Sequence, residues 1–376
     1  MQIVVDGFIY EQQLHGGIPR IFSEILPRMC ELEPALSVAL LTLKLSQQQK
    51  QALPIHARIH HQSLFPPARL FRRRRLWWRV SPSIHALAQR FALRNDRTAL
   101  WHSTYYTALN GWTGPVVTTV ADMIYERFTS LFVGPMNDQI RRQKRDSIQR
   151  ADAILCISET TKAELLKYYH VDKTKVYVTP LAYNNTMFYP RPASSSIIPP
   201  PFLLYIGGRT HYKNFTGLLK AYSVWDSRKE VRLVVVGSSW AKAEAQLLAE
   251  LGIERQVQLL TRVDDLTLSQ LYNQAAAFVY PSLYEGFGIP LLEALACGCP
   301  VIASRIPSSV EIAGECPIYF DPVQQDGLLV ALDTALTTGR EAERVRLGLD
   351  HVKSYSWDRT AQQTLAVYRA LSTNQG

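Results

Sequence analysis

Glu285 and Glu293 bracket a glycine-rich turn in the stretch PSLYEGFGIPLLEALACGCP, residues 281–300. Carboxylates accept hydrogen bonds from hydroxyl groups, so this pair suits a polyhydroxylated ligand. Gly286 and Gly288 let the backbone approach such a ligand closely. Pro290 suits the first turn of a helix, and the free N–H groups of a helix start favour phosphate. That places the backbone of Phe287 and Ile289 at an expected anion site. Glu285 precedes the glycines and Glu293 is expected in the first helical turn, so both would face one anionic ligand. A capping glutamate plus a surface glutamate is the bland alternative. The whole string, E-G-F-G-x-P-x-x-E-A-x-A-x-G-x-P after an apolar run, argues against it.

A second constellation is YIGGRTHYKN, residues 205–214. A strand ends in Gly207 and Gly208, and Arg209 and Lys213 flank a helix start. Arginine forks onto phosphate oxygens and lysine adds a point charge, so the pair suits a diphosphate without a metal. Taken alone, this is equally a solvated pair on a loop; the neighbouring glutamate string favours the ligand reading. His15 and His102 read as buried, hydrogen-bonded structural histidines. Cys297 and Cys299 flank Gly298 too tightly for an ordinary disulfide and read as small buried side chains. Arg72, Arg73, Arg74, Arg75 and Arg79, interleaved with Trp77 and Trp78, fit either a solvated helix face or peripheral contact with an anionic membrane.

The elements that must position these residues alternate along the chain. In the second half, apolar runs at 202–206, 231–236, 257–260, 277–280, 300–303 and 317–320 alternate with helical spacing at 215–225, 241–251, 266–276 and 291–296. Strands without polar alternation, separated by short helices, are parallel strands buried on both faces. The first half is less regular, with strands expected at 3–5, 38–43, 116–120, 153–157 and 176–179. Helices are expected at 21–29 and, capped by Ser158, at 161–169. Pro190, Pro192, Pro199, Pro200, Pro201 and the serines 194–196 mark a linker. The expectation is therefore an α/β protein with two Rossmann-like, doubly wound domains facing a central cleft. The domains would be residues 1–183 and 202–354, with a linker at 184–201 and a C-terminal helix at 355–376 packing back on the first domain.

Composition agrees with two domains. The chain has 376 residues, 47% hydrophobic and 19% charged, which excludes a disordered chain, a collagen-like chain and a coiled coil. No apolar run approaches the ~20 residues that cross a bilayer. The start, MQIVVDGF, has no basic leader, so no signal peptide is expected. Five scattered cysteines without metal-ligand spacing read as reduced thiols in a cytoplasmic protein. The net charge of +9 suits nucleic acid, an anionic membrane or phosphorylated small molecules. No nucleic-acid-binding signature accompanies it, so no nucleic-acid partner is expected.

With these motifs in place, the chain resembles the group-one (family four) retaining glycosyltransferases of GT-B fold. The resemblance rests on HGGIPR (15–20), WHSTYY (101–106), TVADM (119–123), RADAILCISETTKAEL (150–165), YIGGRTHYKN, EGFGIPLLEALACGCPVIAS (285–304), SSVEIAG (308–314), YFDP (319–322) and YSW (355–357). It implies transfer of a hexose, mannose or similar, from a nucleoside-diphosphate sugar to a glycan, lipid-linked or small hydroxylated acceptor. No cofactor and no metal are implied. Arg209 and Lys213 would bind the donor diphosphate and Glu285 the sugar hydroxyls, with the backbone of Gly208 and of residues 286–289 close by. Glu293 would bind the ribose, Arg262 and Val263 would face the base, and Gly16 and Gly17 would approach the donor from the first domain. Many relatives carry His-Asp where this chain has Ala121-Asp122, so by that resemblance Asp122, His102 or another group fills the space or none is needed. Asp122 is the candidate general base, with a structural aspartate in a loop as the equal alternative. The resemblance also implies front-face transfer, in which the departing diphosphate helps deprotonate the acceptor. The competing reading is a non-catalytic nucleotide-sugar-binding or scaffold protein.

Overall fold

The computed structural model describes residues 1–12, 16–42, 45–63, 99–107, 112–192, 198–340 and 342–373. His15, residues 193–197 and the basic cluster Arg72–Arg79 lie outside the described residues. The chain forms two compact units, Met1–Leu181 with Trp357–Gly376, and Ala182–Ser356.

In the first unit the strands are β1 (Gln2–Asp6), β2 (Ser37–Thr42), β3 (Ile59–Ser63), β4 (Leu100–Ser103), β5 (Val116–Val120), β6 (Ala153–Cys156) and β7 (Val176–Val178). They pair in the order β3-β2-β1-β4-β5-β6-β7, and every pairing is parallel. The helices are α1 (Phe8–Gln12), α2 (Gly17–Leu32), α3 (Gln47–Gln51), α4 (Ile124–Arg127), α5 (Pro135–Arg150) and α6 (Glu159–Tyr168). In the second unit β8 (Phe202–Ile206), β9 (Arg232–Val236), β10 (Val257–Leu260), β11 (Ala277–Tyr280), β12 (Val301–Ser304) and β13 (Ile318–Phe320) pair, again all parallel, as β10-β9-β8-β11-β12-β13. Its helices are α7 (Phe215–Val224), α8 (Lys242–Glu250), α9 (Asp265–Gln274), α10 (Ile289–Ala296), α11 (Pro307–Ala313), α12 (Gln325–Thr338) and α13 (Glu343–His351). A last helix, α14 (Trp357–Thr373), belongs to the first unit.

Helices cover both faces of each sheet, which is why the inner strands read as unbroken apolar runs. Leu203, Tyr205, Leu233, Val235, Ala277, Val279 and Ile302 pack with Leu218, Leu219 and Tyr222 of α7 in one core. In the first unit Val4, Ala39, Leu41 and Trp101 form a smaller cluster. Ser158 caps α6 as its sequence suggests, accepting from the Thr161 N–H at 2.9 Å. The α14 helix is tied to its unit by Thr360, which donates to the Pro180 carbonyl at 2.6 Å, and by the Arg369–Glu33 pair at 2.7 Å.

Residues 184–192, where the sequence suggests the start of a linker, are fastened to α9. The Arg191 N–H donates to Asn273 Oδ1 at 2.8 Å, and Ser269 Oγ donates to the Met187 carbonyl at 2.8 Å. All five cysteines are buried free thiols, and burial pushes Cys297 up to about 12 and Cys299 to about 11. Among the described residues no helix is long and apolar enough to cross a membrane.

Each sheet reverses its strand order once, between β1 and β4 and between β8 and β11. Loops leaving the carboxyl ends of the strands diverge at such a reversal and leave a crevice, where open α/β sheets bind ligands.

Candidate active site

In the second unit the two loops flanking the reversal are residues 207–214, after β8, and residues 281–288, after β11. They carry Gly208, Arg209, Lys213, Glu285 and residues 286–288 of those singled out by sequence. Lys213 Nζ donates to both oxygens of Glu285, each at 2.7 Å, so one ion pair spans the crevice. The Leu283 N–H donates to the Tyr212 carbonyl at 2.7 Å and ties the same two loops by backbone. Ser282 Oγ donates to Glu285 Oε1 at 2.7 Å, and the Tyr280 hydroxyl is also hydrogen-bonded to this carboxylate. Burial first, and then the Glu285 charge, hold the Tyr280 hydroxyl well above its ordinary range. Glu285 is therefore a nearly buried carboxylate oriented from two sides, while the Lys213 side chain keeps 24% exposure.

Arg209 lies on the same loop but faces α8. Its Nε and Nη2 fork onto Glu244 at 2.8 and 2.9 Å, and Nη2 also donates to the Ser239 carbonyl at 2.9 Å. Burial alone would raise the Glu244 carboxyl, but the Arg209 hydrogen bonds and the Ala241 N–H outweigh it and lower it.

Gly288 is the N-cap of α10 with φ +124°, a backbone state that disfavours any side chain. A Cβ added there would also sit 3.1 Å from Leu291 Cδ1. Phe287 is buried and packs edge-on against Tyr355, so residues 286–289 enter the helix from a fixed direction. Because α10 begins at Ile289, Glu293 is past the first turn in which the sequence placed it. It is buried, and the Tyr272 hydroxyl donates to its Oε2 at 3.3 Å. Thr261, Arg262 and Val263 follow β10 at the sheet edge, with Arg262 exposed at φ +57°. Since β10 is two strands from β8, that turn lies roughly 10 Å along the sheet from the Gly207–Gly208 turn.

Asp122 belongs to the first unit and follows β5. Its Oδ1 accepts from the Ile124 N–H at 3.0 Å, and its carbonyl accepts from the buried Lys144 Nζ at 2.6 Å. Lys144 also pairs with Glu126 at 2.8 Å, and Glu126 accepts from the Tyr169 hydroxyl at 2.8 Å. Burial first, and then the Asp122 charge, hold the nearby Tyr106 hydroxyl well above its usual range. Gly16 is the N-cap of α2, and Gly17, exposed, is its first residue.

His102 is fully buried on β4, with Nε2 at 2.8 Å from Thr119 Oγ1 and Nδ1 bonded to the Tyr368 hydroxyl of α14. Burial pushes it down to about 3, so it stays neutral. It is a structural histidine, as its sequence context suggests.

Glu244, Ser282, Tyr280 and Lys144 are the supporting residues that sequence reading missed. Only Glu244 carried a local signal, its place three residues after Ala241 in a helix start.

Two parallel α/β units, each with one strand reversal, are the architecture of the GT-B fold class. Residues 192–347 match the family profile described as glycosyl transferases group 1, and residues 16–185 match the one described as glycosyltransferase family 4. The chain belongs to the group 1, family 4 glycosyltransferases. It is 29% identical over 308 residues to an O-antigen chain mannosyltransferase B of Escherichia coli, covering 77% of this chain and 78% of that one. It is 31% identical to the O-antigen chain mannosyltransferase RfbU of Salmonella typhimurium, over 47% of this chain and 48% of that one. The fold is shared with Anabaena HepE, solved in complex with UDP-glucose, at a TM-score of 0.73 and 15% identity over 98% of this chain and 100% of that one.

Proposed function

We propose that this glycosyltransferase moves a hexose, mannose by similarity to its relatives, from a nucleoside-diphosphate sugar to a glycan or lipid-linked acceptor. Retention of configuration, metal independence and a place in cytoplasmic O-antigen or polysaccharide synthesis belong to the same proposal. The observation that carries it is the Lys213–Glu285 pair spanning the strand reversal of the second unit. A cation and an oriented carboxylate at that crevice match the two halves of the donor, diphosphate and sugar.

The proposed roles follow from geometry. Lys213 exchanges Glu285 for the diphosphate, with Arg209 beside it. Glu285, held by Ser282 and Tyr280, then accepts hydrogen bonds from sugar hydroxyls. The free N–H groups at the start of α10 add positive potential near the diphosphate. Glu293 takes the ribose hydroxyls, and the turn at Arg262 and Val263 faces the base. In transfer, the bond from the anomeric carbon to the diphosphate oxygen breaks. A bond from the acceptor oxygen to the same face of that carbon forms, and the acceptor proton leaves to the diphosphate. The protein contributes positioning and stabilisation of leaving-group charge. Asp122 is the alternative to the diphosphate as acceptor of that proton; an Asp122→Asn variant with full turnover removes it from that role.

The test is a thermal-shift panel of GDP, UDP, ADP, dTDP and CMP, with EDTA, on wild type and Lys213→Ala. A diphosphate at a hundred times its Kd adds about 2.7 kcal/mol of stability. One diphosphate raising the melting temperature of wild type and not of Lys213→Ala supports the reading. No shift, with EDTA or with magnesium, overturns it and favours a non-catalytic scaffold.

A further inference from the structure

The Arg209 guanidinium is held more tightly than a surface phosphate ligand needs to be. Its side chain is 4% exposed. Two of its nitrogens are consumed by Glu244 and the Ser239 carbonyl, and its Cζ lies 4.8 Å from the centroid of the Trp240 ring. The third nitrogen, Nη1, is buried and has no hydrogen-bond partner among the described residues. Its direction is fixed by a close approach. A Cβ built on Gly237 would lie 2.7 Å from Nη1 and 3.0 Å from the Gly207 carbonyl oxygen. Nη1 therefore sits where the carboxyl ends of β8 and β9 open, beside the Gly207–Gly208 turn.

A buried donor left unpaired is costly, and the cost is removed when an acceptor arrives. Glu244 also cancels the charge of Arg209, so what remains for a ligand is a directional N–H pair and little net attraction. Lys213 differs on both counts, being more exposed and paired with a carboxylate that has other donors. The site thus holds one fixed and one exchangeable cation.

We propose that Glu244 is a positioning residue of the donor site, holding Arg209 so that Nη1 alone meets a phosphate at the carboxyl edge of β8 and β9. Trp240 backs the guanidinium plane, and Gly237 leaves the space in which Nη1 sits. The proposal rests on the donor-site reading above and adds to it a residue on α8 that touches no substrate.

The test is a double-variant cycle on the full chain by isothermal titration, using the nucleoside diphosphate that binds in the thermal-shift panel. Arg209→Ala and Glu244→Ala are each expected to weaken binding on the order of tenfold. The double variant is expected to bind no more weakly than Arg209→Ala, because Glu244 acts only through Arg209. Glu244→Gln keeps the length and loses the charge; it is expected to weaken binding in the same direction and serves if Glu244→Ala does not fold. Glu244 also accepts from the Ala241 N–H at 2.7 Å, so a capping role alone is the competing account. That account gives a loss that persists undiminished in the Arg209→Ala background, which overturns the proposal and leaves the donor-site reading standing. Unchanged binding by both Glu244 variants does the same. If wild type binds none of the diphosphates, the donor-site reading falls and the positioning role with it.

Discussion

A carboxylate stands at the strand reversal of each unit, and the two are satisfied in opposite ways. In the first unit Asp6 ends β1 and is fully buried. Its oxygens accept from the Phe8 N–H at 3.1 Å, the Thr104 N–H at 2.9 Å, the Thr104 hydroxyl at 2.5 Å and the Thr107 hydroxyl. Two of those donors are backbone and none carries a charge. In the second unit Glu285 is held by a lysine on a flexible stem together with two hydroxyls. Asp6 stitches the loop after β4 to the end of β1 with partners that cannot leave. Glu285 has one partner that can. The same topology serves as a staple in one unit and, in the proposed function, as the donor site in the other.

The largest expected effect separates these two roles. Lys213→Ala is expected to lower turnover by about 10²–10³-fold, the usual effect of deleting a donor aimed at developing charge. Its effect on urea unfolding is expected to be the smaller of the two, because the Lys213 side chain keeps 24% exposure and Glu285 retains the Ser282 hydroxyl. Asp6→Ala is expected to do the reverse. It strands two buried N–H groups and two hydroxyls and is expected to cost about 3 kcal/mol of stability. Turnover per folded molecule should stay within a few-fold. Equal losses of turnover in the two variants, at matched folded fraction, would break the comparison.

This contrast was half legible in the sequence. The second sheet reads off directly: runs at 202–206, 257–260 and 277–280 match β8, β10 and β11 because strands covered on both faces carry little but apolar residues. Lys213 and Glu285 stood out because glycines surround them. The first sheet hid two strands. In β4, LWHS, the polar His102 is buried against Thr119 and Tyr368 on other elements, and Ser103 against Thr107 in the loop that follows. In β3, IHHQS, an edge strand keeps polar residues that mask the pattern. The α5 helix was missed for the same reason. It buries Ile140, Lys144, Ser147 and Ile148, and a buried lysine reads as a surface residue until Glu126 is found beside it. Glu293 was placed a turn too early because the residue that caps its helix, Gly288, is set by backbone conformation. Glu244 also reaches Arg209, and Asp6 reaches Thr104 and Thr107, across the fold, and no spacing in the chain announces those partners.

A smaller effect tests whether the first unit's polar core is fixed in charge as well as geometry. His102 lies near 6.5 unfolded and near 3 in the fold, pushed down by burial. The unfolded chain therefore binds a proton that the folded one does not. The contribution of the neutral ring is complete above pH 6.5 and is lost as pH falls below it. The loss is about 1.4 kcal/mol per pH unit, or about 2 kcal/mol by pH 5. Urea unfolding at pH 7.5, 6 and 5 measures it, and His102→Gln is expected to flatten that slope. A wild-type slope no steeper than that of His102→Gln would mean the ring is charged in the folded state.

The smallest effect on the fold falls at Gly208, and it sharpens the proposal that the second unit holds the donor. Gly207, with φ +126°, needs to be glycine for its backbone. Gly208 does not. Its φ lies outside the left-handed range, and an added Cβ would meet nothing within 4 Å. Its carbonyl already accepts from the Tyr205 hydroxyl at 2.6 Å, so the turn is held without it. Gly208→Ala is therefore expected to change stability by less than about 0.5 kcal/mol. If a diphosphate lies against this turn, the methyl group occupies its space, and the Kd should rise about tenfold, or 1.4 kcal/mol. An unchanged Kd would move the diphosphate away from Gly208 and toward the start of α10. Gly288→Ala would then have to show the larger loss of affinity, beyond the strain its backbone already predicts.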